Sequence, residues 1–302
     1  MFRHFGALSD ENTGLILSVL AALGFAGKTI LAKLCYGYGA DPVTVLALRM
    51  AFAGPVFAGL LGLNLARKRW TLALTFRQWL WVPPLALLGY YLSSLLDFLG
   101  LQYVDATIGR LILFSYPTLV VLANAALARR RPQRRLWLAL ALGYGGLGLM
   151  MAPRLGGPQA DFRLGCLLIF GAALSFAGYL VVMEKAVKTV NTTLLTSIVL
   201  CLSTLAVLVH FSLTRPLVSG LASAPAPVII YSAVMGLFST VLPVYAMNAG
   251  LARLGAGRAA AVGLLGPVMT FGLGYFILDE RLTPLQLAGM VLVILGVSRV
   301  KN

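Results

Sequence analysis

The chain is 302 residues long, 60% hydrophobic and only 11% charged, with a net charge of +15 and a mean hydropathy of +0.91. A water-soluble domain carries roughly 25% charged residues, so this composition excludes an ordinary soluble fold and makes lipid the main solvent. Its basic residues sit in short segments between apolar runs, which argues against a nucleic-acid surface, and three scattered cysteines are too few for a disulfide framework or a metal site.

A segment needs roughly 20 mostly apolar residues to cross the hydrocarbon core of a bilayer. In chain order the segments that qualify are 13–35, 42–63, 79–101, 105–128, 136–153, 163–184, 191–213, 227–250, 256–278 and 283–300. The polar start, residues 1–12, runs straight into the first of them, so no cleavable signal peptide is expected. Pro42, Pro132, Pro216 and Pro284 punctuate the joins, where a missing amide costs little.

Lys and Arg distribution sets the orientation. With a cytoplasmic N-terminus, the inner segments hold Arg3, then Arg67, Lys68, Arg69 and Arg77, the run Arg129-Arg130-Arg131 with Arg134 and Arg135, and Lys185, Lys188, Arg253, Arg299 and Lys301. The outer segments hold only Arg154, Arg163, Arg215 and Arg281. Both termini are therefore expected on the cytoplasmic side. Trp70, Trp79, Trp81 and Trp137 fall near the inner ends of spans and read as interfacial anchors.

At an offset of about 150 residues the chain repeats itself. Residues 21–27 return as 172–178, differing only at Gly24 and Ser175; Ser115-Tyr116-Pro117 aligns with Leu265-Gly266-Pro267, and 101–104 aligns with 251–254. The expected fold is all-α and integral to the membrane: ten transmembrane helices in one domain over 1–302, built as repeat one, 13–153, and repeat two, 163–300. Five spans is an odd number, so the second repeat enters from the opposite side and the two become inverted repeats, the geometry of alternating access.

The motifs carry a resemblance. Leu23-Gly24-Phe25-Ala26-Gly27-Lys28 in span one, Asp41-Pro42 through Ala47-Leu48-Arg49 in span two, 106–117, 256–267, and above all the stretch 279–289 running into Leu295-Gly296-Val297, together resemble the EamA-type ten-helix branch of the drug/metabolite transporter superfamily. The resemblance implies export or exchange of small polar or amphipathic metabolites, amino acids or related carboxylates first among them, without ATP. It implies a multi-pass protein of a bacterial inner membrane that acts as a monomer or weak dimer, with membrane lipid and a small-molecule substrate as partners and protons as a candidate coupling ion. The chain departs from a symmetric pattern where Arg129-Arg130-Arg131 stands opposite Asp279-Glu280-Arg281.

A charged side chain within a span costs about 2.5–3.5 kcal/mol on insertion scales, so it faces protein or water and is a functional candidate. Lys28, Lys33, Arg49, Asp97 and Arg110 qualify, all in the outer half on this topology. Lys28 lies deepest, about 6 Å past the middle of span one, and either lines a cavity or snorkels outward. Lys33 reads as a snorkelling anchor. Arg49 and Arg110 are expected either to pair, with Asp97 or outer-loop carbonyls, or to meet substrate. Asp97 shares a face with Tyr90 and Ser94 at helical spacing; it is expected as partner of Arg49 or Arg110, with proton transfer as the alternative. Glu184, beside Lys185 and Lys188, reads as a solvated end pair.

Tyr179 aligns with Lys28, Thr240 and Asn248 share a face of span eight, and Tyr275 lies late in span nine; these complete the candidate substrate site. Pro117 and Pro267 at matched mid-span positions, with Pro243, are candidate hinges, because a mid-helix proline frees a carbonyl and permits bending. The Gly-rich runs 143–146 and 272–274 read as close helix packing. His4 and His210 are isolated, and the chain carries no P-loop and no nucleophile motif. Neither an enzyme nor a cofactor is expected. Two alternatives stay open: an exchanger or importer of an anionic or nucleotide-linked solute, and a non-transporting membrane sensor or assembly protein.

Overall fold

The computed structural model describes residues 10–67, 69, 74–104, 109, 112–129, 133–151, 161–269 and 283–298. Within them all regular secondary structure is helical: α1 (Asp10–Gly37), α2 (Pro42–Ala66), α3 (Phe76–Gly100), α4 (Tyr116–Ala128), α5 (Arg134–Met151), α6 (Phe162–Ala186), α7 (Thr192–Thr214), α8 (Ala226–Leu254), α9 (Ala256–Met269) and α10 (Pro284–Ser298). A short surface helix, Leu217–Ala222, joins α7 to α8. Of the described helices, α1, α2, α3, α6, α7 and α8 are long and apolar enough to cross a membrane, while α4, α9 and α10 are shorter apolar segments.

Local chemistry starts these helices where the chain must turn. Asp41 Oδ1 accepts from the amides of Val43 and Thr44, both at 3.1 Å, with Pro42 at the first helical position, where its missing amide is harmless. Asn191 does the same for α7, accepting from Thr193 and Leu194 at 3.1 and 3.0 Å. Thr75 with Gln78, and Thr283 with Gln286, form capping boxes that open α3 and α10.

The exterior fits lipid rather than water. Leu167, Leu242 and Ile230 are each at least 60% exposed. Each would cost about 1.5–3 kcal/mol in water relative to burial. Trp79 and Trp137 are exposed, as interfacial anchors require.

Packing follows a reciprocal pattern. α1 runs along α8, and α6 runs along α3; α2 pairs with α7, α5 with α10, and α4 meets α9. Where lipid gives no hydrophobic drive between helices, small residues permit this approach. A Cβ on Gly250 would meet Ser18 and the carbonyl of Gly14, and a Cβ on Gly100 would meet Ile169 and the carbonyl of Gly165. Gly146 on α5 lies against the backbone of Gly289 and Val293 on α10. The Gly-rich run at 143–146 is thus a packing seam; the run at 272–274 lies outside the described residues.

Two helices are irregular at matched places. Residues 87–92 of α3 and 237–241 of α8 wind as π-helix, a form found mostly as single-turn bulges at functional sites. Pro243 follows the second directly, and Pro117 and Pro267 each follow a turn, at 114–115 and 263–264, that interrupts their helices.

Candidate functional site

The irregular segments converge on a central cavity of about 90 Å3, lined from α1, α2, α3, α4, α6, α8 and α9. On the usual allowance of 10–15 Å3 per enclosed water, that is room for roughly six to nine waters or a small solute. Its wall is mainly apolar, with Phe25, Phe114, Phe176 and Met247 prominent, and its polar groups lie at defined points: Ser18, Lys28, Arg49, Tyr90, Ser93, Ser94, Asp97 and Thr240.

Where α1, α2 and α3 meet, the lining is charged. Lys28 Nζ donates to Asp97 Oδ2 at 2.8 Å. Arg49 is 2% exposed and donates through Nη2 to Ser94 Oγ at 3.0 Å. Between the two cations lies the ring of Phe98, with Lys28 Nζ 5.6 Å and Arg49 Cζ 5.2 Å from its centroid; such contacts are worth about 2 kcal/mol when desolvated. Asp97 therefore pairs with Lys28 and not with Arg49, one of its two expected partners; the other, Arg110, lies outside the described residues. The reason is one of facing: Asp97 is presented toward α1, whereas Ser94, nearly one turn earlier on α3, is presented to α2. Lys33 is not a simple anchor either. Its Nζ donates to the carbonyls of Leu101 and Val104 at 2.7 and 3.2 Å, tying α1 to the chain after α3.

Where α6, α7 and α8 meet, the equivalent layer is neutral. Tyr179 Oη donates to Asn248 Oδ1 at 2.7 Å, and Asn248 Nδ2 donates to Thr196 Oγ1 at 3.0 Å. Tyr179 and Asn248 are fully buried and lie behind the cavity wall rather than in it. The two layers touch through Tyr90 and Tyr179, whose rings meet edge to face at 5.3 Å. Thr240 faces the cavity and donates to the Met235 carbonyl, five residues back, within the π segment.

Two cavity-lining residues each carry a buried atom without a hydrogen-bond partner, Ser18 Oγ and Arg49 Nε. A buried unsatisfied polar group costs about 1–3 kcal/mol, and each such group in a native structure calls for an explanation.

At the far ends of the bundle, further polar contacts join helices. Arg253 Nε meets Asp10 Oδ1 at 3.0 Å and Arg258 Nη1 meets Glu11 Oε1 at 2.8 Å, fastening the start of α1 to the α8–α9 joint at Gly255. Glu184 is not a solvated end group paired with its neighbours: Asn124 Nδ2 on α4 donates to its Oε2 at 2.7 Å. At the opposite end Arg215 bridges to Asp41 and Thr44 at 2.5 and 2.7 Å. Burial raises the Asp41 carboxyl, but hydrogen bonds from Thr44 and Arg215 outweigh it and hold it below its ordinary value.

Of the residues singled out from sequence, the cavity gathers Lys28, Arg49, Tyr90, Ser94, Asp97 and Thr240. Arg110 and Tyr275 lie outside the described residues. Sequence reasoning missed Ser18 and Phe25, although Ser18, Ala22, Phe25 and Ala26 share one face of α1 at helical spacing. It also missed Phe114, Tyr116 and Phe176, whose apolar character resembles the packing around them. Cys35, Cys166 and Cys201 are free thiols.

An all-helical chain with a lipid-compatible exterior around a partly polar central cavity is a multi-pass membrane protein. The model of the EamA-like transporter family matches residues 12–152 and again 163–300, and the chain belongs to that family. It is 29% identical to the protein named "Uncharacterized transporter YcbK" of Bacillus subtilis (strain 168), over 93% of this chain and 90% of that protein. It is 22% identical to "Uncharacterized transporter sll1319" of Synechocystis, over 96% and 94%. A solved crystal structure, 17% identical, superposes with a TM-score of 0.77 over 95% of this chain and 97% of its own, a likeness of fold.

Proposed function

We propose that the protein is a secondary transporter that moves small polar or amphipathic metabolites, amino acids or related carboxylates, by alternating access through the central cavity. The observation that carries this reading is the cavity itself, set between helices of both halves and lined by residues with buried, unpartnered polar atoms. In this reading ten spans form two inverted repeats, both termini are cytoplasmic, and the protein sits in a bacterial inner membrane. The reciprocal pairing of α1 with α8 and α6 with α3, the matched π segments, and the double match to one family model support that arrangement.

Transport then works by two closures. With the N-terminus inside, the Lys28–Asp97 and Arg49–Ser94 layer lies toward the outer face, and the Tyr179–Asn248–Thr196 layer toward the inner face. Opening one while the other holds exposes the cavity to a single side. Pro117, Pro243 and Pro267 stand beside helix irregularities and act as hinges, since a freed carbonyl lets a helix bend without losing a further hydrogen bond.

The test is purified protein in proteoliposomes loaded with a mixed panel of labelled metabolites. Saturable efflux or counterflow of a subset, absent from protein-free vesicles, is expected. No protein-dependent flux of any solute, with tight capture of a protein partner, would replace this reading with that of a membrane sensor or assembly factor.

A further inference from the structure

Resting on that reading, we propose that the cavity selects monoanionic carboxylates with a compact apolar body, in preference to zwitterions, dianions and cations, and that Arg49 is the residue that holds the carboxylate. Among the described residues the charged groups lining the cavity are Lys28, Arg49 and Asp97. Asp97 is already engaged by Lys28 at 2.8 Å. Arg49 meets only a neutral hydroxyl, Ser94 Oγ, and the face of Phe98, while its Nε is buried and unbonded. These three side chains carry a net charge of +1 in a low-dielectric space, and a carboxylate neutralises it in a single step.

Geometry points the same way. A guanidinium presents a planar fork that matches two carboxylate oxygens. An α-ammonium group has no free counterpart: the cavity's described carboxylate is held by a lysine, and taking it would break that ion pair. A second carboxylate would require breaking the same pair from the other side. The remaining wall, with Phe25, Phe114, Phe176 and Met247, offers apolar contact to the body of the solute.

The experiment measures binding to the full-length protein in lipid nanodiscs by calorimetry, with probes matched in body and differing in charge. 3-Phenylpropanoate is compared with phenylalanine, phenethylamine and benzylsuccinate, and butanoate with 2-aminobutanoate as a smaller pair. The monocarboxylate of at least one pair should bind at least about tenfold more tightly than its zwitterion, the ratio expected for one charge-assisted contact. Arg49→Gln should erase that preference, Arg49→Lys should keep part of it, and Arg215→Gln, at a residue outside the cavity, should retain it. Gel filtration and an unchanged melting midpoint show which variants are folded; should Arg49→Gln fail that check, the Arg215→Gln and Arg49→Lys results decide.

Equal or tighter binding of the zwitterions, or no binding of either monocarboxylate, would overturn the proposal. So would a preference that survives Arg49→Gln, or one lost in folded Arg215→Gln and Arg49→Lys alike. If vesicles carry zwitterions and exclude monocarboxylates, the selectivity is wrong while the transporter reading stands; if no solute of the wider panel crosses, that reading falls with it.

Discussion

Two polar layers of the helix bundle use different chemistry for the same structural task, joining three helices. Where α1, α2 and α3 meet, ions close the gap: Lys28 on Asp97, Arg49 on Ser94, both cations against Phe98. Where α6, α7 and α8 meet, a neutral chain of Tyr179, Asn248 and Thr196 does so, fully buried. Neutral hydrogen bonds between membrane helices are individually modest. A buried ion pair is unforgiving, because removing one partner strands the other. The first layer therefore carries charge beside the cavity, and the second is neutral.

Breaking the charged layer should produce the largest effect. Asp97→Ala removes the carboxylate that Lys28 donates to and should lower stability in detergent by about 3–5 kcal/mol, whereas the double variant Lys28→Met with Asp97→Leu should recover much of that loss. Chemical unfolding of the three proteins measures this; a double variant as unstable as Asp97→Ala would mean that the pair is not what holds this end. Next comes Tyr179→Phe, which deletes one neutral bond and should cost about 1 kcal/mol in the same assay. A loss matching that of Asp97→Ala would erase the distinction between the two layers.

The smallest effect belongs to the surface clamp. The Asp41 carboxyl is held below its ordinary value of about 3.9. Its contribution is therefore fully present above that value and disappears as pH falls through the depressed one. Because Asp41 and Arg215 side chains are 34% and 47% exposed, the gain is no more than about 1 kcal/mol. Arg215→Gln should remove this acid-limb slope from a melting curve series between pH 5 and 2; an unaltered slope would show that other carboxylates set it.

Much of this was legible in the sequence, because lipid imposes simple rules. Apolar length marked the long helices, and the Asp41 and Asn191 caps fell close to where the spans were expected to begin. Periodicity placed Tyr90, Ser94 and Asp97 on one face, and they do line one cavity. What could not be read was which charge meets which. Asp97 and Lys28 are 69 residues apart, and their pairing depends on how α1 is rotated against α3, a matter of packing rather than period. Tyr179 and Asn248 sit behind the wall for the same reason. Arg49 was visible as a misplaced charge, but its unsatisfied Nε is a property of the assembled cavity.

The central claim, that one cavity opens alternately to the two faces, is tested most directly by cysteine accessibility. In a background with Cys35, Cys166 and Cys201 replaced by serine or alanine, single cysteines at Ser18 and Ser94 are labelled from either side of oriented vesicles with a membrane-impermeant maleimide. The account expects Ser94→Cys to react from the outer face and Ser18→Cys from the inner face, with a transported solute changing the two rates in opposite directions. Rates that rise and fall together, or labelling of both positions from one side only, would contradict it.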